Sequence, residues 1–287
     1  MEYREFTIRK SRGKVRKLVA PDAELLTYQQ KNLRKLHKFY MASVIGTDIE
    51  NVAHGFIKGR NVVTAAQQHV GFKTTLQMDM INFFDTVFID MLPKKFQDKH
   101  FYHKDGYCGQ GFATSPMLSN IASIDMLKEL KAYLSANYKE HALTIYADDI
   151  QISVNTTDKK KLASIVKEAT IIVEKHRFII NPVKTRFKYA KFGFRRILGV
   201  NVGDTKVRAT RKIMRKIRAA RHQSNKQSLG GLVNWSKCAL PTSKFRYKPK
   251  PGDNPCVDIF MDVRGTNPYT YTYTATNDTT ATTAKLR

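Results

Sequence analysis

Apolar residues recur along this chain with two periods, and the switches between them outline its elements. From Asp22, the positions Leu25, Leu26, Tyr28, Leu33, Leu36 and Tyr40 fall at helical spacing behind an N-capping aspartate, predicting a helix with a basic outer face. Thr74 to Met80 alternates instead, with Leu76, Met78 and Met80 on one side and Thr75, Gln77 and Asp79 on the other. That period predicts a half-buried strand with Asp79 near its end, pointing away from the core. Ser115-Pro116 supplies the chemistry of a helix start, and Leu118, Ile121, Leu127, Leu130 and Leu134 continue the helix. Leu143 to Val154 reads as a hairpin, with Leu143 and Ile145 on one arm and Ile150, Ile152 and Val154 on the other.

Weaker patterns fill in the remainder. Residues 7 to 20 predict a basic hairpin closed around Arg12-Gly13, with Ile8, Val15, Leu18 and Val19 as its apolar positions and Pro21 as its end. A short helix is expected from Val62 to His69, and a densely basic helical stretch from Val207 to Leu240. After Pro241 the composition changes, and residues 266 to 287 are mostly Thr, Ala, Tyr and Asn. As a strand, this tail would align Tyr269, Tyr271 and Tyr273 on one face, able to stack bases or to offer a priming hydroxyl; an edge strand or a low-complexity tail accounts for it equally. No repeat of solenoid length is present.

Composition narrows the partners. A 42% hydrophobic share in 287 residues is enough for a folded core. Lys plus Arg number 50 against 24 acids, and the resulting +26 calls for a polyanion, most simply nucleic acid, although a basic ribosome-associated or membrane-surface protein shares this balance. No apolar run approaches the roughly 18 residues of a membrane span, and Met1-Glu2-Tyr3-Arg4-Glu5 opens no signal peptide. A cytoplasmic protein without membrane contact is expected. Cys108, Cys238 and Cys256 are odd in number and far apart, fitting neither a disulfide framework nor a zinc site, so reduced structural thiols are expected. His100 and His103 beside Cys108 lack metal-ligand spacing.

The candidate chemistry lies in carboxylates. Tyr146-Ala147-Asp148-Asp149 places two aspartates at the tip of a strongly β-forming hairpin, and Asp79 ends a separate strand. Turns are rich in Asp, so the pair alone is weak evidence. Unpaired carboxylates at the tip of a half-buried hairpin are nonetheless costly unless a cation compensates. Phosphoryl transfer asks a protein chiefly for positioning and charge neutralisation, which two magnesium ions roughly 4 Å apart provide. Magnesium takes one or two protein carboxylates and completes its shell with phosphate and water, so Asp79, Asp148 and Asp149 would suffice.

An ordered series of blocks then resembles the reverse transcriptase superfamily, most closely the bacterial retron-type enzymes. Arg9 to Arg16 is similar to the fingers hairpin, and Ala53-His54-Gly55-Phe56 through Gly59-Arg60 to a retron-type signature. Asp79 to Phe84 resembles the first catalytic motif, Gln110 to Asn120 the second, Tyr146 to Asp149 the third, and Asn181-Pro182-Val183-Lys184-Thr185 the fourth. The resemblance implies an α+β right-hand polymerase. Its fingers would span 1–75 with 96–112 interleaved, its palm 76–200 with an antiparallel sheet, its helical thumb 201–245, and a tail 246–287.

Roles follow from the same resemblance. Asp79 and Asp148 would be metal ligands, with Asp149 a weaker one, for two magnesium ions or manganese in their place. Lys184 would protonate the leaving pyrophosphate. Lys10 and Arg16 would hold the triphosphate, Gln110 and Gly111 would contact the incoming nucleotide, and Phe84 would exclude a ribose 2′-hydroxyl. Tyr146 and Ala147 would flank the primer terminus, and Arg208, Arg211, Lys212, Arg215 and Lys216 would lie along the duplex. The implied activity is RNA-directed DNA synthesis from deoxynucleoside triphosphates, copying a dedicated non-coding RNA template into a DNA product, in antiphage defence with an effector protein as partner.

Two alternatives stay open: a defence-associated relative making untemplated, repetitive or protein-primed DNA, and a catalytically silent assembly protein that binds nucleic acid. Where retron enzymes carry Val-Thr-Gly before the thumb, this chain has Ile197-Leu198-Gly199. The stretch after Pro241 is too short for a ribonuclease H, maturase or endonuclease segment, so a self-mobilising element is not expected.

Overall fold

The computed structural model describes residues 1–9 and 15–238, which form helices and three antiparallel sheets. Strands β1 (Tyr3–Arg9) and β2 (Val15–Pro21) pair from Tyr3↔Pro21 to Arg9↔Val15. The hairpin thus begins four residues before the expected start at residue 7, and of its apolar positions Leu18 and Val19 are buried while Val15 is exposed. Helix α1 (Ala23–Val44) follows, and the Asp22 carboxylate accepts the Leu25 N–H at 2.6 Å as the expected cap. Leu25, Leu33, Leu36 and Tyr40 form its buried stripe. Helix α2 (Val62–Gln67) starts on a reciprocal box: Asn61 Oδ1 accepts from Thr64 N at 3.0 Å, and Thr64 Oγ1 from Asn61 N at 2.8 Å.

The central sheet has the order β4-β5-β3-β6, with β3 Thr74–Asp79, β4 His141–Tyr146, β5 Asp149–Val154 and β6 Arg186–Tyr189. Leu76, Met78, Ile145, Ile150 and Ile152 join the main core, shared with α1 and with α3 (Ser115–Ala122), α4 (Ile124–Asn137) and α5 (Lys159–Lys175). Burying such aliphatic side chains stabilises the domain by about 1.5–3 kcal/mol each.

The opposite face of the sheet departs from expectation. Thr75, Thr144, Gln151 and Ser153 are polar yet fully buried. His69 lies across them, with Nδ1 2.8 Å from Ser153 Oγ and Nε2 2.8 Å from Thr144 Oγ1. Arg195 adds Nη1 to Thr75 Oγ1 at 2.9 Å and Nη2 to the His69 carbonyl at 2.7 Å. Alternation therefore marked the two faces of β3 correctly but not their exposure, because the hydroxyls of Thr75, Thr144 and Ser153 are hydrogen-bonded and so can be buried as completely as apolar groups, whereas the buried Gln151 amide has no hydrogen-bond partner among the described residues.

Covering that layer is a smaller sheet of β7 (Arg195–Ile197), β8 (Val200–Val202) and β9 (Val207–Ala209). Ile197, Val200 and Val202 pack with Val63 and Ala66 of α2 in a second core. This sheet straddles the expected palm–thumb boundary at residue 200. Leu198 and Gly199, in place of Val-Thr-Gly, form the β7–β8 turn with both φ values positive.

Two helical expectations need correction. The stretch from Ser115 to Leu134 is two helices broken at Ser123, where Ser119 Oγ and Ser123 Oγ donate to carbonyls four residues back, a bond that bends helices. The stretch from Val207 opens with strand β9 before α6 (Arg211–His222) and α7 (Lys226–Ser236), so Arg208 lies on a strand. Cys108 and Cys238 are free and buried, as expected of structural thiols. Cys256 and the tyrosines at 269, 271 and 273 lie outside the described residues. No helix among the described residues is long and apolar enough to cross a membrane.

Candidate active site

Three carboxylates meet where β3 and the β4–β5 hairpin end together. Asp79 closes β3 and is the register partner of Asp149, which opens β5. Asp148 precedes it in a tight turn with Ala147, whose φ is +53°. The ladder continues one step past the strands: Met80 N donates to the Asp148 carbonyl at 2.9 Å, and Asn181 N to the Asp79 carbonyl at 2.7 Å. Asp79 is 7% exposed.

Burial here has an electrostatic consequence. Asp149 is pushed up to about 6, first by burial and then by the adjacent Asp148 charge. Asp148 is also raised, by burial and by Asp79. Lys184 touches the group, with its Nζ 2.8 Å from both Asp79 oxygens. Burial works against the Lys184 ammonium, but the hydrogen bond and the charge of Asp79 outweigh it and raise its pKa. Asn181 and Thr185 hold the loop that carries it: Asn181 Nδ2 reaches Asp79 Oδ2 at 3.4 Å, and Thr185 Oγ1 donates to Asn181 O at 3.0 Å.

The hairpin tip leans on the segment 52–60, whose structural part the sequence did not reveal. Ile145 N donates to Val52 O, and His54 N to Ile145 O, both at 2.9 Å, so this segment adds a short parallel bridge to β4. Gly55 then passes so close that a Cβ there would lie 2.7 Å from Ala147 N. Asn120 on α3 donates to the Gly55 carbonyl at 3.0 Å. Arg60 Nη1 donates to the Glu50 and Ala53 carbonyls at 2.7 Å, and buried His54 spans Thr64 Oγ1 and Asn51 O. The signature residues thus form a strut under Tyr146-Ala147. Sequence offered one signal for it, a glycine between His54 and Phe56 with no turn pattern around it.

The residues expected near the nucleotide gather beside the same tip. Val19 N donates to the Gln110 carbonyl at 2.9 Å, docking β2 on the Gln110-Gly111 loop. Gly111 has φ +125°, and a Cβ there would fall 2.0 Å from Val19 O, so this contact requires glycine. The Gln110 side chain lies beside Asp85, a carboxylate that burial raises, an effect this neighbour partly offsets. Arg16 adds its charge to both Asp85 and Asp148, which places the guanidinium within electrostatic reach of the carboxylates. Phe84 is half-buried, with ring centroids 6.2 Å from Phe56 and 5.4 Å from Phe83. Tyr146 is buried, with its phenol raised by that burial.

The remaining expected residues lie apart from this group or outside the described residues. Lys10 lies outside the described residues. Arg211, Lys212, Arg215 and Lys216 line the exposed side of α6, opposite buried Ile217 and Ala220, and form no salt bridge among the described residues. Arg208 on β9 sets its guanidinium 5.4 Å from the Phe194 ring centroid.

The donor set fits a divalent cation held jointly with substrate. Asp148 and Asp149 are raised by burial and by neighbouring carboxylates, a cost that a cation would offset. Among the described residues no three His, Cys, Asp or Glu side chains are grouped closely enough to hold a metal ion by themselves, so substrate would have to complete the site. An open arrangement of this kind leaves coordination positions to phosphates and water.

Comparison with known proteins matches this geometry to a family. The family described as reverse transcriptase (RNA-dependent DNA polymerase) matches residues 8–247. The chain is 28% identical over 281 residues to the retron Mx65 reverse transcriptase of Myxococcus xanthus, covering 85% of this chain and 63% of that protein. It is 26% identical over 272 residues to the retron Mx162 reverse transcriptase of the same organism, covering 79% and 54%. It thus spans somewhat more than half the length of these relatives. Among solved structures, telomerase from Candida tropicalis with a fragment of telomeric RNA superposes with a TM-score of 0.53 at 12% identity, covering 81% of this chain and 52% of that one. Telomerase from Candida albicans gives a TM-score of 0.53 at 10% identity, covering 80% and 54%. At these identities the structural likeness carries the fold alone, an α+β right-hand polymerase. With the family match extending over most of its length, the chain belongs to the reverse transcriptase family.

Proposed function

We propose that this chain is an RNA-directed DNA polymerase of retron type, making DNA on a dedicated non-coding RNA from deoxynucleoside triphosphates. The observation that carries this reading is the register pairing of Asp79 on one strand with Asp149 on the next, beside Asp148 in the adjoining turn. Asp79, Asp148 and Asp149 would hold the divalent ions, magnesium or manganese. When bound, these ions activate the primer hydroxyl and neutralise charge on the transferring phosphate.

The chain's own groups do the remaining work. Asp79 is held in place through its backbone by Asn181, and Lys184 waits on its carboxylate as a proton donor for the departing pyrophosphate. Gln110 and Gly111 receive the nucleotide against β2, with Arg16 and Lys10 supplying charge for the triphosphate. Phe84, backed by Phe56 and Phe83, bars a 2′-hydroxyl. Tyr146 and Ala147 flank the primer end. The exposed basic side of α6, with Arg208, follows the duplex backbone. In this reading fingers, palm, thumb and tail divide at 1–75 with 96–112, 76–200, 201–245 and 246–287. The setting is the cytoplasm, in antiphage defence with an effector protein.

Purified protein should incorporate labelled deoxynucleotides on a primed RNA and lose that incorporation in Asp148→Asn. Failure of the unaltered protein on every template and primer would overturn the proposal. Sequencing the nucleic acid that co-purifies identifies the template: a branched RNA–DNA product fits a retron, whereas repetitive or protein-linked DNA indicates the defence-associated alternative.

A further inference from the structure

Behind Asp149 runs a polar chain that the polymerase reading leaves unused. Gln77 Nε2 donates to Asp149 Oδ1 at 3.2 Å, and Gln77 Oε1 accepts from Lys188 Nζ at 2.6 Å. Lys188 also donates to the Arg196 carbonyl on β7. Strand register explains the alignment. Gln77 lies two residues before Asp79 on β3, so it shares that face, opposite Gln151 on β5 and Arg186 on β6.

The position of Lys188 is otherwise hard to explain. It is half-buried and forms no salt bridge with a carboxylate among the described residues. Arg186 and Arg196 both oppose its charge, and Asp149 favours it. Holding an ammonium there is costly unless its charge or its donors are used. They are used on Gln77. An ammonium only donates, so the glutamine oxygen must face Lys188 and its amide must face Asp149. Oδ1 is engaged from behind in this way, while Oδ2 accepts no hydrogen bond among the described residues.

We propose that Gln77 and Lys188 are positioning residues for Asp149, a two-link support from β6 through β3 that orients its carboxylate toward a divalent cation. The inference rests on the reading of Asp149 as a metal ligand. Outer-shell partners of this kind change metal affinity or activity by about 10–100-fold.

The test is manganese binding to the full chain without nucleotide, followed by electron paramagnetic resonance of the free ion, alongside magnesium titrations of primer extension. Lys188→Met and Gln77→Leu should each weaken manganese binding about 10-fold and raise half-saturating magnesium equally, with KM for nucleotide at saturating magnesium unchanged. Lys188→Arg should restore most of the affinity. Wild-type manganese affinity in both Lys188→Met and Gln77→Leu would overturn the inference. So would equal impairment of Lys188→Met and Lys188→Arg with an unaltered magnesium dependence, the mark of a purely structural role. Asp148→Asn and Asp149→Asn separate this from the underlying reading. If they leave metal binding and synthesis intact, the polymerase site itself is misassigned; if they abolish both while Lys188→Met binds normally, only the support is.

Discussion

A Cβ on Gly55 would stand 2.7 Å from the backbone nitrogen of Ala147, closer than non-bonded atoms pack. Since Ile145 is hydrogen-bonded on both sides to Val52 and His54, the strut cannot retreat without breaking that bridge. Gly55→Ala should therefore displace the turn that carries Asp148. A shift approaching 1 Å at reacting groups costs on the order of 10²-fold in rate, whereas overpacking costs about 1–3 kcal/mol in stability. The expected outcome is primer extension down about 100-fold in a protein that still folds, checked by steady-state rates beside urea unfolding. Asn120→Ala, which removes the bond to the Gly55 carbonyl, should act in the same direction but less strongly.

Phe84 gives a prediction about the sugar. Its ring is held between Phe56 and Phe83, so its position does not depend on substrate. Phe84→Ala opens the space a 2′-hydroxyl would fill, and steric discrimination of this size is worth about 10–200-fold. Competition between ribo- and deoxynucleotides on one primed template should show the preference for deoxynucleotides falling within that range. An unchanged ratio would assign Phe84 to packing alone.

The basic side of α6 predicts a salt dependence. Each phosphate contact contributes about 0.9 to the slope of log affinity against log salt. Replacing Arg211, Lys212, Arg215 and Lys216 together by Gln should lower that slope by up to about 3–4 for a primed duplex, measured by fluorescence anisotropy across a salt series. KM for nucleotide should hold at low salt, where the duplex still binds. An unaltered slope would place the duplex elsewhere.

How far these sites could be read from sequence depended on what kind of information each needed. Helix α1 was legible from its cap and spacing, because Asp22 and the Leu33–Leu36–Tyr40 stripe are local features. The aspartates were legible as a set because Asp79 and Tyr146-Ala147-Asp148-Asp149 each carry a strand pattern, and the family resemblance joined them. The burial of Thr75, Thr144 and Ser153 was not legible: polarity says which face a residue takes, and only His69 and Arg195, distant in sequence, say what covers it. The break at Ser123 was hidden because Leu127 and Leu130 keep the helical period across it. Arg208 looked helical only by continuity with Arg211. The segment around Gly55 was marked by its motif, but its packing under Ala147, like the Gln77–Lys188 support, was not legible, because each joins strands or loops whose adjacency only the fold creates.

The buried polar layer makes the protein's stability depend on pH. Burial, with the Arg195 charge behind it, pushes His69 down to about 3; burial and the Arg60 charge push His54 down to about 4. Both values lie below the 6.5 of an unfolded histidine, so between them the unfolded chain binds more protons than the folded one. Stability from these groups is fully present above pH 6.5 and is lost as pH falls toward 4 and then 3, by up to about 1.4 kcal/mol per pH unit for each group. Asp149 acts in the opposite sense in metal-free protein: raised to about 6, it destabilises the fold above that pH and relaxes as it protonates. Comparing variants separates the two. His69→Gln keeps a neutral hydrogen-bonding side chain and leaves Asp149 untouched, so it should lower stability at pH 7.5 yet flatten the loss between pH 7 and 5. Urea unfolding at pH 7.5, 6.0 and 5.0, with magnesium absent throughout, reads both slopes. Parallel slopes for His69→Gln and wild type would show that His69 takes up no extra proton on unfolding.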